Sequence, residues 1–187
     1  MREDINNALE IVRSGGIILY PTDTVWGIGC DATNPEAVQR IYDLKNRPLS
    51  KSMLVLVDQP GRIGQYVQVV PEIAWELMEV NDKPMTIIYP GAKNLAPNLI
   101  AADGSIGIRV TTDDFCRQLV QRFRKPIVST SANISGQPSP GYFAKISDEI
   151  IQGVDYIVKH RQEDYTPAIA SSLIKLGLSG QIEILRK

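Results

Sequence analysis

The spacing of apolar residues predicts the elements of this chain one after another. Ile5, Ala8, Leu9 and Val12 recur at helical spacing, and Ser14-Gly15-Gly16 stops the pattern. Ile17 to Tyr20 is then a continuous apolar run of strand length. Asn34-Pro35-Glu36 reads as a helix start with proline in the first turn, and Ala37, Ile41 and Leu44 mark its buried stripe. Met53 to Val57 and Met85 to Tyr89 read as buried strands. Between them, 71–80 reads as a helix with Ile73, Ala74, Leu77 and Met78 inward. Residues 105–110 form a strand that carries Arg109. Asp113-Asp114 opens a helix through Phe123, where acids suit the N-terminal end of the dipole. Ile127-Val128 ends another strand, 135–141 is a loop rich in Gly, Ser and Pro, and 146–151 is helical. Late strands are expected at 156–158, 169–174 and 182–184.

This order predicts a single α/β domain over 1–187, with helices on the faces of a sheet. Alternation of strand and helix is too imperfect for a purely parallel sheet, so a mixed sheet is expected. The chain shows no linker, low-complexity tract or internal repeat.

Charge and composition narrow the partners. The formal net charge is −1, so the molecule as a whole is not an electrostatic nucleic-acid binder and any basic site must be local. Two cysteines, Cys30 and Cys116, are too few for a disulfide framework, and with the single His160 they make a poor zinc site. Reduced cysteines in a cytosolic fold are expected, with no protein-held metal. Mixed charge at Met1 to Asp4, with no long apolar run after it, argues against a secretory signal, and no apolar run is long enough for a bilayer. A soluble, cytoplasmic protein without membrane contact is the expectation.

Candidate chemistry sits in four segments. Ser129 to Gly136 places four hydroxyls, one amide and one glycine in eight uncharged residues after the apolar Pro126-Ile127-Val128. Short polar side chains and backbone N–H groups of this kind can converge on phosphate oxygens. In isolation the segment reads better as an ordinary polar loop capping the helix that follows, and the other motifs of the chain tip the balance. Pro21 to Cys30 follows the first strand, with Thr22 and Thr24 where α/β sheets tend to bind ligands, and with Gly27 and Gly29 permitting a turn or a close approach. Lys45-Asn46-Arg47-Pro48-Leu49-Ser50-Lys51 brings three cations into seven residues. They suit either a solvated helix end or a polyphosphate clamp. Arg109, between apolar neighbours, needs a partner: an internal carboxylate such as Asp113, or a bound phosphate. Thr86 and Ser171 are hydroxyls in apolar runs. The chain has no Walker loop and no nucleophile elbow. Such a set suits chemistry done by placing reactants against an activated phosphate.

Taken in order, Pro-Thr-Asp-Thr-Val-Trp-Gly-Ile-Gly-Cys (21–30), Lys-Asn-Arg-Pro-Leu-Ser-Lys (45–51), Gly-Ile-Arg-Val (107–110) and Ser-Thr-Ser-Ala-Asn-Ile-Ser-Gly (129–136) resemble the YrdC/TsaC family of threonylcarbamoyl-AMP synthases. The resemblance runs from about residue 5 to the end of the chain, whose length fits the short form without an extra C-terminal domain. It implies an open, twisted α/β sheet with a concave basic face. It also implies synthesis of L-threonylcarbamoyladenylate from L-threonine, bicarbonate or CO2, and ATP. That step begins N6-threonylcarbamoyl modification of adenosine 37 in tRNA. Magnesium would accompany the ATP, and a downstream transfer complex would take the product. Carried over, Lys45, Arg47 and Lys51 hold the triphosphate, and Ser129, Ser131 and Asn133 bind the nucleotide near the reacting phosphate. Lys45, Arg47 and Ser131 are thereby the catalytic candidates. Arg109 and Thr86 line the pocket, with Arg109 toward the threonine carboxylate or a phosphate. Thr22 and Thr24 bound the threonine end, and Ser171 reaches the nucleotide. The chain departs from the family at 81–86, where Asn-Asp-Lys-Pro-Met-Thr replaces Pro-Gly-Pro-x-Thr. It departs again at Thr111, usually proline, and at Lys175, usually an acid.

Two other readings remain at this stage. One is a tRNA- or dsRNA-binding module using 45–51, Arg109 and the basic run from Arg117 to Lys125. The other is a non-catalytic regulatory domain of the same fold.

Overall fold

The computed structural model describes residues 1–167 and 169–187, and its backbone is organised by one open sheet. The elements are α1 (Arg2–Arg13), β1 (Ile18–Tyr20), β2 (Gly27–Gly29), α2 (Pro35–Leu44), β3 (Leu54–Val57), α3 (Glu72–Val80) and β4 (Met85–Tyr89). There follow β5 (Ile106–Val110), α4 (Asp114–Phe123), β6 (Ile127–Ser131), α5 (Asp148–Gly153), β7 (Tyr156–Ile157), β8 (Ser172–Leu176) and β9 (Ile182–Arg186). Among the described residues the strands run in the order β7-β1-β2-β6-β3-β5-β4-β8-β9. The pairs β1–β7, β3–β5 and β4–β8 are parallel and the others antiparallel, so the sheet is mixed, as expected.

Strand alternation sends side chains to two faces with different fates. One face carries Leu19, Ile28, Val55, Val57, Ile87, Tyr89, Ile106, Ile108 and Val128, and α2, α3 and α5 bury it. Asn34 starts α2 by accepting hydrogen bonds from the backbone N–H groups of Glu36 and Ala37, ahead of Pro35 in the first turn. The other face carries Ile18, Tyr20, Leu56 and Ile127. It is covered only there, by α1 (Ile5, Ala8, Leu9, Val12) and α4 (Phe115, Cys116, Leu119, Val120, Phe123). Gly29 is required in that half. A Cβ there would stand 2.6 Å from the Val128 carbonyl oxygen and 2.7 Å from the Tyr20 ring.

Three local expectations change. The strand expected at 169–174 begins later, at Ser172, because its pairing with β4 starts opposite Met85. Gly27–Gly29 is a strand between β1 and β6 rather than a turn. The polar run after Val128 continues as strand through Ser131, since Ser129 pairs with Leu54, and Thr130 and Ser131 pair with Ile28 and Gly27. Ladder hydrogen bonds there satisfy the backbone, which outweighs the loop preference of serine and threonine. Trp26 is core, packed 4.9 Å from the Phe143 ring.

Candidate active site

The part of the second face that α1 and α4 leave uncovered is a hollow of about 460 Å³. That volume falls within the usual range for small-molecule sites. Its floor follows from strand alternation. Gly27, Leu54, Thr86, Gly107, Arg109, Ser129 and Ser131 project from β2, β3, β4, β5 and β6 on this face. All but Leu54 are small or polar, where the covered half is aliphatic or aromatic. Gly107 sits at the centre, between Leu54 and Thr86, and adds no side chain to the floor.

The cationic wall begins at the end of α2. Asn46 adopts a left-handed conformation (φ 49°). The N–H of Arg47 bonds the Tyr42 carbonyl and that of Asn46 bonds the Asp43 carbonyl. This is the Schellman arrangement, which asparagine tolerates, and it turns the chain sharply out of the helix. Arg47 therefore projects into the hollow, where its Nε donates to the Lys51 carbonyl at 2.7 Å and Nη2 to the Ser52 carbonyl at 2.9 Å. Ser50, Lys51 and Ser52 complete this rim.

Lys45 has a different setting. Its side chain is 1% exposed, and its ammonium donates to the backbone carbonyls of Ser131 and Asn133 from behind the wall. The N–H of Ser135 returns to the Lys45 carbonyl at 2.8 Å. Burial, reinforced by nearby Arg47, pushes the Lys45 amine down to about 7. The Asn133 side-chain amide likewise bonds carbonyls of its own loop, at Ile134 and Gln137, and does not line the hollow.

The third wall is the turn after β1. Thr22 Oγ1 donates to the Val25 carbonyl at 2.8 Å and accepts the Thr24 backbone N–H at 3.0 Å. Thr24 lines the hollow, whereas Thr22 is locked inside the turn. Asp23, between them, forms an ion pair with Arg109, Oδ1 to Nη2 at 3.1 Å. That corrects the partner suggested from sequence. Asp113 instead caps α4 through the Cys116 N–H and pairs with Arg161 at 2.9 Å. Opposite, the Thr86 and Ser171 hydroxyls meet at 2.9 Å, and Arg186 Nε donates to the Ser171 carbonyl at 2.7 Å.

Of the residues singled out from sequence, Thr24, Arg47, Lys51, Thr86, Arg109, Ser129, Ser131 and Ser171 line one hollow. Thr22, Lys45 and Asn133 stand directly behind it, each bonded into a wall. Arg186 and Asp23 were missed. Asp23 had a signal, since an acid between two threonines after a strand is part of the same motif. Arg186 had none. It reaches the hollow because a register shift in the β8–β9 pair sets it opposite Leu173, while Ile184 faces Ile174. The basic run after Arg117 is not in the hollow: Arg117 pairs with Asp114, Arg122 bonds Asn6, and Lys125 pairs with Asp31.

The lining described holds four cations, Arg47, Lys51, Arg109 and Arg186, and no carboxylate. In a chain of net charge −1, that concentrates positive potential at one place. Among the described residues no cluster of His, Cys, Asp or Glu could hold a metal ion, and no helix is long and apolar enough to cross a membrane.

Comparison with known proteins identifies the family and the fold. Residues 10–187 match the family model described as "Telomere recombination", that of the Sua5, YciO and YrdC proteins. The threonylcarbamoyl-AMP synthase of Pseudoalteromonas translucida is 32% identical over 178 residues, 94% of each chain. That of Psychromonas ingrahamii is 38% identical over 138 residues, 72% of each chain. Among solved structures, E. coli YciO superposes with a TM-score of 0.84 at 25% identity, over 100% of this chain and 90% of that one. Sua5 of P. abyssi, solved with L-threonine, superposes with a TM-score of 0.82 at 24% identity. The match spans 92% of this chain and half of that longer protein. The hollow, the order of its motifs and these matches lead to one assignment: this chain belongs to the Sua5/YciO/YrdC family.

Proposed function

We propose that the hollow joins L-threonine, bicarbonate or CO2, and ATP into L-threonylcarbamoyladenylate, with release of pyrophosphate. The observation that carries this reading is convergence. The 45–51 turn and the 129–133 segment, distant in sequence, share one cavity with the Thr24 turn and Arg109. The chain's similarity to threonylcarbamoyl-AMP synthases over nearly its full length supports it.

In this reading Arg47 and Lys51 hold the triphosphate, and Ser129 and Ser131 hold the phosphate that reacts. Lys45 and Asn133 act from behind, by keeping the 129–133 backbone where its hydroxyls are useful. Arg186 and Ser171 bound the nucleotide on the opposite wall. Thr24 and Arg109 take the threonine, with its carboxylate toward the guanidinium. The threonine amine adds to CO2 and gives up a proton to solvent, leaving a carbamate. A carbamate oxygen then forms a bond to the α-phosphorus as the bond from that phosphorus to the bridging oxygen breaks. Pyrophosphate departs with the electron pair, and the cations offset its growing charge. No protein nucleophile is needed, because the task is to hold a labile carbamate in line with the α-phosphate. With no carboxylate in the lining, a magnesium ion would ride on the phosphates themselves. By resemblance to the threonylcarbamoyl-AMP synthases, the setting would be cytoplasmic, with tRNA as the final acceptor through a separate transfer complex.

The test is pyrophosphate release by purified protein with ATP, bicarbonate and L-threonine. Release should require threonine and yield a product carrying the threonyl group on AMP. Threonine-independent release would assign a different adenylate-forming reaction. Salt-sensitive RNA binding without ATP binding would favour the RNA-module reading.

A further inference from the structure

We propose that Asp23 is a positioning residue, holding the Arg109 guanidinium in the one orientation that receives the substrate carboxylate. The inference rests on the reading of the hollow given above.

Arg109 is 3% exposed and its partner Asp23 7%, so the pair is almost fully withdrawn from water. A buried ion pair is a weak source of stability, and an aliphatic residue would pack this strand position at least as well. The pair therefore calls for another explanation. Its surroundings place it at the border of the two halves of the face, next to Tyr20 and Cys116 on the covered side. Arg109 still lines the hollow on the open side.

The grip is one-sided. Asp23 Oδ1 stands 3.1 Å from Nη2 as a charge contact without hydrogen-bond alignment, and Nε is buried without a hydrogen-bond partner. Because the guanidinium is a rigid plane, holding Nη2 beside a buried carboxylate restrains how the rest of the fork can turn. Asp23 is itself fixed twice. Its backbone lies in the turn closed by Thr22 and Thr24, and its second oxygen, Oδ2, accepts from the Thr111 hydroxyl at 3.4 Å. The same turn presents Thr24 to the hollow. Asp23 thus ties the cation for the carboxylate to the hydroxyl beside it as one unit. A preorganised fork binds a carboxylate without first losing side-chain freedom.

Steady-state pyrophosphate release by the unmodified protein and by Asp23→Asn tests this, with a thermal melt to show that the variant folds. The threonine KM is expected to rise about ten- to hundredfold, the range spanned by one charge-assisted contact. The ATP KM and the kcat at saturating threonine are expected to stay within about twofold, because Arg47 and Lys51 are untouched. A folded Asp23→Asn protein with an unchanged threonine KM overturns the proposal, as does an equal rise in both KM values. Should Asp23→Asn fail to fold, Thr111→Val decides. It keeps the pair but frees one oxygen, and should raise the threonine KM alone, by about two- to fivefold. No change in that variant overturns the proposal. Unmodified protein that ignores threonine would refute the functional reading itself, a result separate from either variant.

Discussion

Two halves of one sheet face have opposite fates. Under α1 and α4 the outward positions are Ile18, Tyr20, Leu56 and Ile127, and they are buried. Elsewhere on the same face they become Gly27 of β2, Thr86 of β4, Gly107 and Arg109 of β5, and Ser129 and Ser131 of β6, and these line the hollow. Strand β6 crosses the border within one element, with Ile127 in the covered core and Ser129 in the hollow. The helices stop where the outward positions turn from wholly apolar to mixed, since a helix laid over serines and an arginine would bury polar groups without partners. A binding site is thus a region of sheet that the chain declines to cover.

The sharpest way to break this comparison is to make the open half resemble the covered one. In Gly107→Leu the Cβ would meet Leu54 and Thr86 side-chain carbons at 3.3 Å, a contact that small shifts relieve. The rest of the leucine would occupy the floor. Threonine-dependent turnover should fall by at least about a thousandfold, while the melting temperature moves by only a few degrees. The converse change is Phe115→Ala under α4. It should lower stability by about 3–5 kcal/mol in urea melts and leave both KM values unchanged while the protein is folded. A KM shift there would mean that the halves are coupled.

Arg47→Ala probes the open half more gently. It should raise the ATP KM about ten- to hundredfold and the threonine KM far less, at a stability cost below about 1 kcal/mol. Equal effects on both substrates would place Arg47 elsewhere in the reaction. The last probe, Lys45, is read only as a slope of stability against pH. Unfolded, its amine keeps a proton up to the ordinary 10.5, and folded it releases the proton near 7. Between those values the unfolded chain binds more protons, so stability should rise as pH increases from about 7 toward 10.5. Lys45→Met should flatten that rise in pH-dependent denaturation curves. A slope that survives the change would assign it to another group.

Most elements were legible because their signals are local. Helical spacing at Ile5, Ala8, Leu9 and Val12, Asn34-Pro35 at a helix start, and Asp113 before α4 each act through neighbours in sequence. The site was legible as four separate motifs. What stayed hidden was contact between distant residues. Arg109 needed a partner, a carboxylate or a phosphate, and nothing local pointed to Asp23 over Asp113. Lys45 and Arg47 looked alike, two residues apart, yet a left-handed Asn46 sends one behind the wall and the other into the hollow. Arg186 enters through an irregular strand register that its own segment does not announce.

The sequence alone determined the helices, most of the strands and the chemical character of the site, because backbone preference and hydrophobic period are properties of short segments. Only the tertiary structure decided which polar groups meet, which cations face the cavity and which brace it. Those outcomes depend on strand order and register, where one residue of slip exchanges the two faces of the sheet.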